Sequence, residues 1–239
     1  MLRQLDTALW VNEVAFTLLG INFGNRMTCI QLADNTFWLH SPTCYDQTTH
    51  QQIKTKGQIN YLVAPNLMHN LFIMDWKAYD AAAHVVAPAR AKKVQPDILL
   101  ETMCDETLDK THDKTTEQKV IQGVDGEISC IPINGMPALQ EYAFVHHASK
   151  TLILTDLAFN FGKEVTAWTR LLLMAYGAYN KFSPTFLIRA LIKDKDAFSK
   201  SLKKIALQDF DRIIISHGRI IESNGKMVFN QAYKKYLEH

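Results

Sequence analysis

Short apolar runs broken by turn residues dominate the first part of the chain, and longer helical patterns dominate the later part. Residues 9–16 (LWVNEVAF) and 28–40 (TCIQLADNTFWLH) read as strands, with Ala33-Asp34-Asn35 as a hairpin turn. In YLVAPNLMHNLF, Tyr61 to Phe72, the pattern changes. A strand over 59–64 meets turn residues at Pro65 and Asn66. Met68, Leu71, Phe72 and Trp76 then fall close to helical spacing and predict a helix over 68–80. Residues 84–87 form a short strand. The segment 101–127 is polar and charged and reads as a loop or mobile insertion. Strands follow at 128–133, 141–147 and 151–155, with Asn134-Gly135 and Ala148-Ser149-Lys150 as turns. Helices are predicted over 163–179, 184–193 and 195–208, the second opened by Ser183-Pro184 as N-cap and first turn. A strand at 211–216 and a closing helix at 226–238 complete the chain. This order suits an α/β domain, spanning 1–239, of two sheets packed face to face with helices outside. A doubly wound sheet fits worse, because hairpins recur and no G-x-G-x-x-G loop follows a strand.

Composition narrows the partners. Of 239 residues, 47% are apolar and 21% charged, and the net charge is +2 with no basic run. Neither nucleic acid nor an anionic membrane is favoured as a partner. A small-molecule substrate or ligand is the expectation, its identity and the oligomeric state left open. The apolar stretch Leu171 to Tyr179 is too short to span a bilayer. Cys29, Cys44, Cys104 and Cys130 are far apart and read as free thiols. The start, MLRQLDTALWVNEV, does not read as a signal peptide. A cytoplasmic location is the expectation.

Four predicted strands end in polar residues that the apolar pattern does not require: His40, the run Asn66 to Asn70 that contains His69, Asp156 and His217. On one edge of a sandwich, His40, His69, Asp156 and His217 could hold one metal, since imidazole and carboxylate suit zinc, iron or manganese. Each also has a structural reading. His69 could hydrogen-bond the helix start, Asp156 could accept N–H bonds from the turn after it, His217 could pack before Gly218, and His40 could be a partly buried, satisfied imidazole. Asn66 and Asn160 could orient ligands or serve as turn residues. Glu141 is a candidate supporting carboxylate. His146 and His147 point to opposite faces of a strand and make a poor pair. AWTRLLLMAYGAY is apolar nearly all round and reads as core or partner surface. No G-x-S-x-G elbow is present.

In order and spacing these motifs resemble the metallo-β-lactamase superfamily. WxHSP, VAPNxxHxLF, GMPALxE, TLIxTDLAFNF and HG are similar, in this same order, to an uncharacterised family within it. The resemblance covers about residues 28 to 236. It implies a four-layer αββα sandwich with metal ligands at strand ends. The superfamily's T-H-x-H-x-D-H motif falls on Ala64 to Asn70, its G-H turn on Gly135-Met136, its later aspartate on Asp156 and its last histidine on His217. Two motif histidines therefore fall at Pro65 and Leu67, the closing histidine at Asn70 and the G-H histidine at Met136. These departures exclude the usual dinuclear site. The resemblance implies a hydrolase with an altered, at most mononuclear site, in which His69 or Asp156 could serve as a base. The alternative is a non-catalytic binding or scaffold protein that keeps the fold without metal.

Overall fold

In the computed structural model, residues 1–18, 21–88, 90–91, 100–102, 124, 126–163 and 167–238 are described. The first sheet has seven strands in the order β1 (Leu2–Asp6), β2 (Leu9–Val14), β5 (Asn25–Gln31), β6 (Thr36–His40), β7 (Gln58–Val63), β8 (His84–Ala87) and β9 (Leu100–Thr102). Between β2 and β5 lies a small hairpin of β3 (Thr17–Leu18) and β4 (Ile21–Asn22). Strands β1 to β6 of the large sheet pair antiparallel, and β6 to β9 pair parallel. Parallel neighbours need crossovers. Helices α1 (Gln47–Lys54) and α2 (Ile73–Tyr79) supply the first two of these.

The second sheet orders β10 (Ile128–Pro132), β11 (Tyr142–His146), β12 (Thr151–Ile153) and β15 (Arg212–Ile214), the last pair being parallel. A further ladder joins β13 (Phe159–Asn160) to β14 (Phe182–Ser183). The remaining helices are α3 (Ala167–Ala175), α4 (Phe186–Ala190), α5 (Lys195–Leu207) and α6 (Gly225–Leu237).

Alternation along the strands produces the layers. In the first sheet, Leu9, Val11, Ile30, Trp38, Val63 and Val86 meet Tyr142, Phe144, Ile153 and Ile214 of the second sheet in one buried cluster. Their alternating neighbours Trp10, Met27, Cys29, Phe37, Leu39, Leu62 and Val85 face the other way, against Ile53 of α1 and Ile73 and Trp76 of α2. On the second sheet, Ile131, Val145, Leu152 and Ile213 turn outward onto Phe198 and Leu202 of α5 and Phe229 and Tyr233 of α6. A period of two thus sends successive residues to opposite faces and makes three apolar interlayers. The result is the four-layer αββα sandwich expected from the sequence.

Several boundaries differ from expectation. The helix expected from 68 begins at Ile73, because the Asn66 side chain accepts N–H bonds from Met68 and His69 and holds that segment as a turn. Thr185, not Ser183, caps α4, accepting from Ile188 N at 3.2 Å. The expected helix over 163–179 is described as Ala167–Ala175, and 164–166 lie outside the described residues. Most of the expected 101–127 loop also lies outside them, although 101–102 belong to β9. Cys104 is likewise outside, and no disulfide forms among the described residues. No helix among these residues is long and apolar enough to cross a membrane.

Trp76 is wholly buried and its indole N–H donates to the Thr43 carbonyl at 2.8 Å. Trp76→Ala should lower stability by about 3–5 kcal/mol in urea denaturation. A loss below about 1 kcal/mol would contradict its place under the first sheet.

Candidate metal centre and its cavity

Register brings the strand ends together. His40 pairs with Val63, and Ile153 with Ile214, so the segments after β6, β7, β12 and β15 emerge at ends of the two sheets. Two bonds join the sheets at this edge: Tyr142 N–H donates to Pro65 O at 2.9 Å, and Leu67 N–H donates to Leu139 O at 3.1 Å.

Here His69, Asp156 and His217 converge. One donor atom from each lies within 4.8 Å of the other two, the only such group of three among the described residues. His69 Nε2 is 3.3 Å from Asp156 Oδ2, and His217 Nε2 is 3.5 Å from Asp156 Oδ1. The three side chains are nearly buried, yet all line one cavity of about 580 Å³.

Each donor is held from behind. His217 Nδ1 lies 2.7 Å from the Gly24 carbonyl, so it carries the proton and donates. That leaves Nε2 facing the carboxylate, either protonated or with a free lone pair for a metal. The ring also stacks on Phe159, with centroids 5.5 Å apart. Gly218, at φ +102°, allows the chain to turn immediately after it, and an added Cβ would lie 2.5 Å from Asn160 O. Asn160 closes this turn, because Arg219 N–H donates to its carbonyl and its own amide donates to Arg219 O, both at 2.8 Å. His69 Nδ1 meets the Ser41 hydroxyl at 2.7 Å. Asn66 Nδ2 donates to Asp156 Oδ2 at 2.8 Å. Glu141, buried beneath, accepts N–H bonds from Thr155, Asp156 and Leu157 at 2.9, 3.1 and 3.1 Å.

The electrostatics follow from burial in competition with these partners. Burial disfavours the Asp156 charge, but His69 and the hydrogen bond from His217 outweigh it and hold the carboxyl well below the usual range. Burial likewise opposes the His217 cation, and Asp156 more than compensates, raising its pKa. Glu141 is pushed up to about 7 by burial and by the neighbouring Asp156 charge.

His40 is placed differently. It is 1% exposed, stacks on Trp38 and meets the edge of Phe144, and both its ring nitrogens lack hydrogen-bond partners among the described residues. Burial, then His69, pulls its pKa down to about 3, so it is a neutral imidazole. It stands outside the three-residue group. Positions that resembled histidine sites serve packing instead: Met136 is buried in the outer core and Leu67 packs under the first sheet. Asn70 is buried with its Nδ2 unpaired. His146 and His147 do diverge, binding Ser149 and Ser129 respectively. Ser41 and Gly24 were not picked out from the sequence. Ser41 stood in the HSP stretch, but a carbonyl contact such as Gly24's leaves no trace in residue identity.

In kind, two imidazoles and a carboxylate suit one divalent ion such as zinc. Ligands of a tetrahedral zinc lie about 3.3 Å apart. Here the imidazoles stand 3.3 and 3.5 Å from different oxygens of Asp156, and one donor atom from each residue lies within 4.8 Å of the others, so binding would draw the donors inward. The Gly24 carbonyl fixes the His217 tautomer that coordination requires.

No family model matches the sequence, and no curated protein matches it. Solved structures do. A metallo-β-lactamase from Pontibacter korlensis superposes with a TM-score of 0.61 at 10% identity, covering 100% of this chain and 99% of that one. The metallo-β-lactamase FIM-1 from Pseudomonas aeruginosa, in its mono-zinc form, gives 0.60 at 11% identity over 99% and 96%. One from Erythrobacter litoralis gives 0.59 at 13% identity over 98% and 96%. At these identities the likeness establishes the fold: the chain is a metallo-β-lactamase-like sandwich.

In chelator-treated protein the His217 cation stabilises the fold fully below its unfolded value of about 6.5, and that contribution is lost as pH rises through the higher folded value. The melting temperature should therefore fall between pH 6.5 and 8.5, and His217→Asn should flatten that slope. A melting temperature that climbs over this range would contradict the Asp156–His217 pairing.

Proposed function

We propose that this protein is a hydrolase of the metallo-β-lactamase type whose altered site holds one divalent metal ion. The observation that carries the reading is the His69–Asp156–His217 cluster at the wall of a large cavity. These three residues would hold the ion and leave a position open for water or substrate, as catalytic zinc sites do. When bound, such an ion polarises a carbonyl and makes water a nucleophile near neutral pH. The chain's own part is orientation. Ser41 and Gly24 fix the two rings, Asn66 steadies the Asp156 carboxylate, and Glu141 anchors the backbone that carries it.

Asp156 acts here as a ligand. Its depressed pKa makes it a poor proton acceptor. His69 has Nδ1 on the Ser41 hydroxyl and Nε2 at the cluster, so it could serve as a base only where no ion is bound. Among the described residues no further donor group would hold a second ion, in keeping with the resemblance that puts Pro65, Leu67 and Met136 at the corresponding places. One observation favours the non-catalytic alternative: with His217 protonated, the cluster is already a satisfied ion pair and needs no metal. We also propose a cytoplasmic protein acting on a small molecule.

Elemental analysis of protein purified without chelator should find at most about one transition metal per chain. Asp156→Ala and His217→Ala should each reduce that occupancy at least tenfold, because two ligands hold an ion poorly. Two tightly held ions, or none after reconstitution with zinc, iron and manganese, would overturn the reading.

A further inference from the structure

The cavity joined to the cluster has a chemical character of its own. Among the described residues, His69, Asp156 and His217 are the only ones to bring a carboxylate, imidazole, ammonium or guanidinium to its lining. Its wall is built by Phe159, Phe161 and, from α3 and α4, Leu172, Leu173, Leu187 and Ile188. The polar side chains among the lining residues are Asn25, Tyr176 and Thr185, and Thr185 is already engaged in capping α4. At about 580 Å³ the space is that of a small-molecule site, far larger than a metal and a water require. Four lining residues, Met68, Leu71, Trp168 and Leu187, are 59–63% exposed, so the apolar surface runs from solvent to the cluster.

The arginines of β5, α3 and α4, elements that also supply lining residues, have partners elsewhere. Buried Arg26 binds Glu13 and the carbonyls of Ile215 and Gly218. Arg170 lies over the Tyr179 ring and Arg189 over Phe186. Among the described lining residues a phosphate or a carboxylate would meet no guanidinium or ammonium, and its charge would lie against aromatic and aliphatic walls. A peptide would bury amide groups against aliphatic walls with few partners.

The geometry points to an uncharged lipophilic acyl ester as the substrate, its long apolar chain lying between α3, α4 and Phe159 and its ester group at the cluster. This rests on the hydrolase reading above. The reaction needs only water. The bond between acyl carbon and alkoxy oxygen breaks, the water oxygen joins the acyl carbon, and the alcohol leaves with one of the water's protons. The carboxylic acid product loses its own proton to solvent.

The test separates binding from chemistry. Chelator-treated full-length protein is titrated with straight-chain methyl ketones of six to twelve carbons, which carry a carbonyl without a hydrolysable bond, by displacement of N-phenyl-1-naphthylamine. Affinity should rise about fourfold per added methylene until the cavity is filled. Leu187→Asp, at an exposed position, and Leu172→Asn should each remove most of that dependence while near-ultraviolet circular dichroism stays native. Metal-loaded protein should then hydrolyse p-nitrophenyl decanoate with a higher kcat/KM than the acetate, bis(p-nitrophenyl) phosphate or a carboxylate-bearing β-lactam. Affinity independent of chain length, or preference for the phosphodiester or β-lactam, would overturn the inference. Length-dependent ketone binding with no ester hydrolysis in the metal-loaded protein would sink the hydrolase reading and the ester substrate, leaving the cavity a binding site for uncharged lipophilic ligands.

Discussion

Asp156 carries a negative charge in a place that water reaches only from the cavity, and the architecture around it exists to make that tolerable. A lone buried carboxylate would cost several kcal/mol and would neutralise itself. Here two imidazoles face its oxygens, an asparagine donates to one of them, and a second buried carboxylate ties down the surrounding backbone. These groups come from the ends of β7, β11, β12 and β15, which belong to both sheets. The charge therefore couples the two halves of the sandwich at one edge. Burial first, and then this charge, displaces Glu141 from ordinary carboxylate behaviour, since two adjacent anions cannot both ionise freely in a buried site.

The same edge divides the molecule chemically. Polar groups are concentrated in the few residues that hold Asp156, while the cavity in front is walled by aromatic and aliphatic side chains. Metal-binding groups need lone pairs and fixed orientation, and the ligand-binding wall needs apolar area. Strand ends provide the first, because their side chains are set by sheet register. The helices α3 and α4 provide the second, and their exposed Trp168, Leu171 and Phe186 carry apolar surface outward. Substitutions in α3 would thus alter ligand preference with little effect on the cluster.

Much of the fold was legible in the sequence because alternation is a strong signal. LWVNEV and TFWLH sort their side chains into two interlayers as the pattern requires. Short ladders such as β3–β4 and β13–β14 were not legible, since two residues carry no period. The helix start at Ile73 was missed because Asn66 spends its carbonyl oxygen on the N–H groups of Met68 and His69, a local bond that apolar spacing does not report. In the site, His69, Asp156 and His217 were readable as polar residues at strand ends. His40 shared that feature, but its ring lies between the sheets against Trp38 and Phe144, a consequence of which face of β6 it occupies. The AWTRLLLMAYGAY stretch was read as core or partner surface. Part of it instead walls the cavity, a distinction that depends on what α3 leaves uncovered.

The central claim is that three side chains define one metal position. Anomalous diffraction from crystals soaked in zinc, collected on both sides of the zinc edge, tests it most directly. The account predicts a single strong peak per chain, about 2 Å from His69 Nε2, His217 Nε2 and an Asp156 oxygen. Two peaks a few ångströms apart at this edge, or a clean difference map with His217 still paired to Asp156, would contradict it.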